Sequence, residues 1–287
     1  MNEQKLKLLR GVVMKKLQKS VLPLILLSFI FVGCTNGGNV GKVQESDQPK
    51  AGQEQAEPVK LTVSAAASLT DCLEELKELY INENPNVEIT YNFGSSGSLQ
   101  QQIEQGAPAD IFFSAGKKQM TALKDAGLMV DDSVKDILEN KVALITPLDG
   151  KQINSIEELT DDKIERIAVG EPESVPVGQY TDEALKNLNV FDSIESKLVF
   201  AKDVREVLSW VETGNVDAGF VYQTDAKVSD KVKIVLNAPE GSHKPVIYPV
   251  GVVKSSKVTE SAQDFVDFLF EEDAKNVFIK YGFSPIS

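Results

Sequence analysis

From Val59 onward the chain alternates short apolar runs with amphipathic ones, and Ser- or Gly-bearing turns join them. Strand-like runs are expected at 61–64, 87–93, 110–113, 141–146, 167–169, 197–201, 218–222, 234–236 and 246–253. Helix-like runs are expected near 70–82, 98–105, 117–126, 178–188, 204–212, 261–270 and 272–281. Such βαβα alternation predicts an α/β fold with largely parallel sheets. In such sheets ligands lie beyond the carboxyl ends of the strands, where these turns fall. Two turns come early: Ala65-Ala66-Ala67-Ser68-Leu69-Thr70 and Phe93-Gly94-Ser95-Ser96-Gly97-Ser98. Each leads into a helix whose first N–H groups lack carbonyl partners, so each can hold an anion without a basic side chain.

The N-terminal segment is of another kind. Six basic residues between Lys5 and Lys19 precede an apolar run, Val21 to Val32, that ends in Val32-Gly33-Cys34. The run is short for a bilayer span but suits the core of an export signal. Its end resembles a bacterial lipobox, with Phe31 where an aliphatic residue is usual. Residues 1–33 are therefore expected to be a signal peptide, with Cys34 lipidated. Met14-Lys15-Lys16 offers an alternative start. Residues 34–58, rich in Gly, Gln, Glu and Pro, read as a flexible tether. A lipid tether favours a Gram-positive cell surface.

Removing residues 1–33 takes away six basic residues and one acidic, moving the formal charge from −13 to −18. So acidic a chain argues against nucleic acid and against broad binding to anionic lipid. Anion capture must then rely on local dipoles, with distant charge screened by salt. With Cys34 lipidated, Cys72 has no partner for an intramolecular disulfide and is expected to be buried in a helix.

Seven strings in one order carry a resemblance: 65–70 (AAASLT), 105–115 (QGAPADIFFSA), 170–180 (GEPESVPVGQY), 203–205 (DVR), 219–226 (GFVYQTDA), 248–250 (YPV) and 280–283 (KYGF). Together they resemble the molybdate-binding proteins of molybdate ABC transporters, across essentially all of Val59 to Phe283. The resemblance implies a two-lobe, periplasmic-binding-protein-like fold of type II with the ligand in the interlobe cleft. Lobe 1 is expected at 59–140 and 248–287, lobe 2 at 141–247, with crossings near Glu139–Val142 and Val246–Tyr248. It implies ligand contacts from the side chains of Ser68, Ser96 and Tyr222 and from the backbone N–H groups of Val177 and Val204. Gly94 and Gly97 stand where the family carries larger residues, and Val177 replaces Ala.

The implied protein captures molybdate, and tungstate with it, and hands it to an ABC permease driven by a cytoplasmic ATPase. It is expected to be a monomer without cofactor or cation ligands, held at the extracytoplasmic face of the cell membrane by its lipid alone. Other oxyanions, such as sulfate, are the alternative ligands. Apart from the resemblance, Ser68 and Ser96 read equally as helix caps and Tyr222 as a buried strand residue. Asp203 reads as a helix cap, Arg205 as half of a salt bridge away from the ion, Trp210 as core and His243, the lone histidine, as exposed. An enzyme is disfavoured: 94–98 (GSSGS) lacks the final Gly of a hydrolase elbow, and no His and Cys cluster suits a metal.

Cys34→Ala is expected to release the protein from the membrane or leave an unprocessed precursor, read by fractionation and mass. Processing and anchoring like the parent would reject the lipobox.

Overall fold

The computed structural model describes residues 58–286. The expected signal segment, Cys34 and the tether up to residue 57 lie outside the described residues. Two sheets organise the chain. The first contains β1 (Val59–Ala66), β2 (Val87–Gly94), β3 (Ile111–Phe113), β4 (Lys135–Asn140), β10 (Val246–Val252) and β11 (Ser284–Pro285), in the order β11-β4-β10-β3-β1-β2. The second contains β5 (Val142–Pro147), β6 (Ile167–Gly170), β7 (Leu198–Ala201), β8 (Ala218–Tyr222) and β9 (Val232–Asn237), in the order β7-β6-β8-β5-β9.

Helices cover both sheets. In the first lobe they are α1 (Thr70–Glu83), α2 (Ser96–Glu104) and α3 (Lys117–Asp125), joined by α8 (Thr259–Phe268) and α9 (Glu272–Tyr281) from the end of the chain. In the second they are α4 (Pro176–Asn187), the short α5 (Phe191–Ile194), α6 (Val204–Glu212) and the short α7 (Gln223–Lys227). The pattern that makes them helices is legible in α6, where Val204, Val207, Leu208 and Val211 are buried at the i, i+3, i+4, i+7 spacing of one face. Asp203 caps it, its Oδ1 accepting the Glu206 N–H at 2.9 Å, as its sequence position suggests. Strands β3, β6 and β8 are buried throughout, as strands covered on both faces must be.

The sheets are mixed rather than largely parallel. Four pairings are parallel and five antiparallel. The reason lies in the crossings. β4 ends at Asn140 in one sheet and β5 begins at Val142 in the other, and the return passes from β9 to β10. β10 pairs antiparallel to both β3 and β4, with Val246 opposite Asn140, so the crossing points lie side by side. The sequence reading assigned no strand to β4 or β11 and no helix to α5 or α7. β11, α5 and α7 are short and β4 buries only Ile137 and Leu138, so their places are set by pairing and packing rather than by local pattern.

The first lobe's core packs α1 against the C-terminal helices. The Tyr80 ring lies 4.9 Å from Phe265, edge to face, and 5.1 Å from Phe268. Cys72 is buried in the same helix, and burial pushes its thiol well above the usual range. Trp210 packs half-buried against the core. His243 is half-buried rather than exposed, its ring 5.7 Å from that of Tyr180. Phe265→Ala is expected to lower unfolding free energy by about 3–5 kcal/mol, read from the urea midpoint and slope. A loss under about 1 kcal/mol would mean that the C-terminal return is not part of the cooperative core.

Candidate functional site

Strand ends and helix starts from both sheets converge on one small cavity. Ser68, Ser96, Val177, Val204 and Tyr222 all line it. The first two come from the first lobe and the other three from the second. All five are buried, Ser96 completely (0% exposed) and Ser68 nearly so (4%).

Each residue sits at or just beyond the carboxyl end of a strand. β1 runs into a 3₁₀ turn, Ala67–Leu69, that carries Ser68 at its centre and continues into α1. β2 ends at Gly94, and Ser95 caps α2, its Oγ accepting the Ser98 N–H at 3.3 Å. Ser96 is thereby spared the capping role. Its Oγ instead accepts the Ala115 N–H at 2.9 Å, and among the described residues its own proton finds no acceptor. The Ala115 carbonyl in turn accepts the Tyr222 hydroxyl at 3.3 Å, a bond that crosses from one lobe to the other. In this closed arrangement the Tyr222 proton is thus directed at Ala115. Burial holds that phenol well above its ordinary pKa, so it stays neutral.

The second lobe contributes two helix starts. Val177 is the second residue of α4, behind Pro176, and Val204 is the first residue of α6. N–H groups at these positions have no carbonyl partner within their own helix. The helix dipole adds partial positive charge there. α4 can reach the cavity because Gly178 packs directly onto Gly170 of β6: a Cβ on Gly178 would lie 2.0 Å from the Gly170 carbonyl oxygen.

Among the described residues no lysine or arginine lines this cavity. Asp203 borders it, but its carboxylate is engaged by the α6 cap. Arg205 points away, as its expected salt bridge requires. Its guanidinium pairs with Asp71 of the first lobe and lies 2.9 Å from the fully buried Asp225. Burial pushes the Asp225 carboxyl up to about 6 although Arg205 opposes the shift. The ion pair therefore braces the two lobes beside the cavity without entering it.

The lobes meet closely around the site. Gly97 donates its N–H to the Ser174 carbonyl at 2.9 Å, and a Cβ at Gly97 would stand 2.5 Å from that oxygen. This accounts for a glycine where the resemblance leads one to expect a larger residue. A larger groove, lined by residues including Lys117, Lys118, Gln179, Tyr180 and Lys244, opens to solvent elsewhere. Its lysines are exposed, and the buried donors do not face it.

The sequence reading did not single out Ala115, Asn140 or Tyr248 as site residues. Tyr248 is completely buried (0% exposed), its Oη 3.0 Å from Ser68 Oγ, and its ring meets that of Tyr222 at 5.6 Å. Ala115 and Tyr248 lie inside strings that carried the resemblance, but nothing local in the sequence pairs residues 180 positions apart.

Two lobes, two crossings and a buried ring of neutral donors between them define a cleft-binding solute receptor. The pattern of the bacterial extracellular solute-binding proteins matches residues 61–284, and the chain belongs to that family. It is 46% identical over 227 residues to Bacillus subtilis YvgL, attributed to the ABC transporter substrate-binding lipoproteins, covering 79% of this chain and 86% of that one. It is 42% identical over 234 residues to the molybdate-binding protein ModA of Haemophilus influenzae, covering 80% of this chain and 91% of the relative. A solved Clostridium difficile substrate-binding domain, attributed to a molybdenum ABC transporter, superposes with a TM-score of 0.63 at 48% identity, covering 80% of this chain and 100% of that one.

Gly178→Ala is expected to cost about 1–3 kcal/mol of stability, because α4 must shift off β6 to admit the methyl group. Urea denaturation checks this, and an unchanged midpoint would mean that the contact relaxes without cost.

Proposed function

We propose that the chain is an extracytoplasmic lipoprotein that captures molybdate, and tungstate with it, and delivers the ion to an ABC permease powered by its ATPase. The observation that carries this reading is the donor set: buried hydroxyls and partnerless helix N–H groups around a cavity that, among the described residues, no cationic side chain lines. The names of its relatives support the same ligand.

Molybdate is a tetrahedral dianion whose oxygens only accept hydrogen bonds at neutral pH. Ser68 and Ser96 offer hydroxyl protons, and Val177 and Val204 offer N–H groups from the opposite lobe. Tyr222 supplies a further hydroxyl when it exchanges the Ala115 carbonyl for a ligand oxygen. Hydrogen bonds to a charged group contribute roughly 1.5–3 kcal/mol each. Several together can offset dehydration of the ion and support micromolar or tighter binding, about −8 kcal/mol or better. Neutral donors fixed by the fold also avoid the desolvation that a buried lysine or arginine would incur. Size then separates ligands, since sulfate is smaller than molybdate or tungstate and underfills the ring.

Donors on both lobes give the ion a higher affinity for the closed arrangement than for an open one, which is what a population shift requires. The closed, loaded form is the one that a permease would accept. Cys34 would tether the monomer to the outer face of a Gram-positive cell membrane, with residues 34–58 as the leash.

Calorimetric titration of the purified domain with molybdate, tungstate and sulfate tests the reading. Molybdate and tungstate are expected to bind and sulfate to bind far more weakly. Ser68→Ala and Ser96→Ala are each expected to weaken molybdate by about tenfold or more, since an unmatched buried polar group costs about 1–3 kcal/mol. Lys244→Ala, on the exposed groove, is expected to change little. Equal affinity in all three variants would reject the site, and preference for sulfate would reject the ligand.

A further inference from the structure

A serine hydroxyl can donate or accept, and a ring built to hold an anion works only if its hydroxyls donate. The Ser68 Oγ to Tyr248 Oη distance of 3.0 Å does not by itself say which group gives the proton. The answer is set further along the network. The backbone N–H of Lys141 can only donate, and Asn140 Oδ1 accepts it at 2.8 Å. That contact fixes the opposite end of the Asn140 amide as its NH₂ group. The NH₂ donates to Thr224 Oγ1 at 2.9 Å and to Tyr248 Oη at 3.2 Å.

Tyr248 therefore accepts from Asn140, and among the described residues the hydroxyl placed to take its own proton is that of Ser68. Burial keeps this phenol neutral by raising its pKa well above the ordinary value, so the proton is always present to be donated. With its oxygen engaged, Ser68 has its own proton left for the cavity. The chain of donors runs in one direction, from a backbone N–H at the crossing between the sheets to the wall of the site. Its root touches both lobes, because Asn140 ends β4 whereas Thr224 belongs to α7.

We propose that Asn140 and Tyr248 are positioning residues that orient Ser68 as a donor to the cavity, so that the site favours fully deprotonated tetrahedral oxyanions over those carrying a proton on oxygen. An anion such as hydrogen phosphate needs an acceptor for its own proton, and at Ser68 the Tyr248 proton takes one of the two acceptor positions while the serine's own proton is turned to the cavity. This inference rests on the reading of the cavity as a molybdate site.

A double-mutant cycle tests it, with molybdate affinity measured for Tyr248→Phe in the parent chain and in a Ser68→Ala background. Phe keeps the ring and removes only the hydroxyl. The expected result is about a tenfold loss in the parent and less than about a twofold loss once Ser68 is gone, because the Tyr248 hydroxyl acts only through it. Competition by inorganic phosphate is expected to strengthen in Tyr248→Phe, lowering the preference for molybdate by about tenfold. Equal losses in both backgrounds, or an unchanged preference, would overturn the relay. Should Tyr248→Phe fail to fold, Asn140→Ala measured in the same two backgrounds reads the same coupling, with the same two outcomes. Failure of the parent chain to bind molybdate would overturn both the relay and the proposed ligand, whereas binding with additive losses would overturn the relay alone.

Discussion

Everything in this molecule is arranged around backbone N–H groups that helices cannot satisfy for themselves. A helix start buried without a partner is costly, and a fold normally hides that cost behind a cap or in solvent. Here α4 and α6 direct such starts at a buried cavity, while Ser95 and Asp203 take the capping work at neighbouring positions. The cost left in the cavity is the affinity available to a ligand that only accepts hydrogen bonds. The two sheets, their side-by-side crossings and the glycine contact between α4 and β6 are the means of bringing these ends to one place.

Electrostatics follow the same logic at two ranges. The chain is strongly acidic, yet the proposed ligand is an anion. Fixed dipoles succeed where net charge opposes because they act over a few ångströms inside a low-dielectric pocket, whereas surface carboxylates are screened. The arginine beside the site is kept for the lobes themselves, spanning Asp71 and Asp225. Held there, it can brace the closed form without becoming a cation that would bind any anion indiscriminately.

Much of this was legible in the sequence. Strand β8 follows from its continuous apolar run, being covered on both faces, and helices α1 and α6 follow from periodicity, because each buries one face against its sheet. Strands β4 and β11 were not, since β4 buries only Ile137 and Leu138, β11 is two residues long, and both take their place from pairing with distant segments. At the site, five expected contact positions came from the resemblance, and all five line the one cavity. What stayed hidden was the support behind them. Ser96 differs from Ser95 only in what it meets across the fold, and the Ser68, Tyr248 and Asn140 network joins residues that no local pattern connects.

The lone core cysteine carries a consequence for where such a protein can work. Cys72 is buried within α1, its thiol strongly disfavoured from ionising and so from reacting. No cross-link between cysteines holds the described residues in shape. Their folding free energy therefore contains no redox term. The binding domain can keep the same conformation in oxygenated and in anoxic surroundings, needing neither an oxidant to mature nor protection from a reductant.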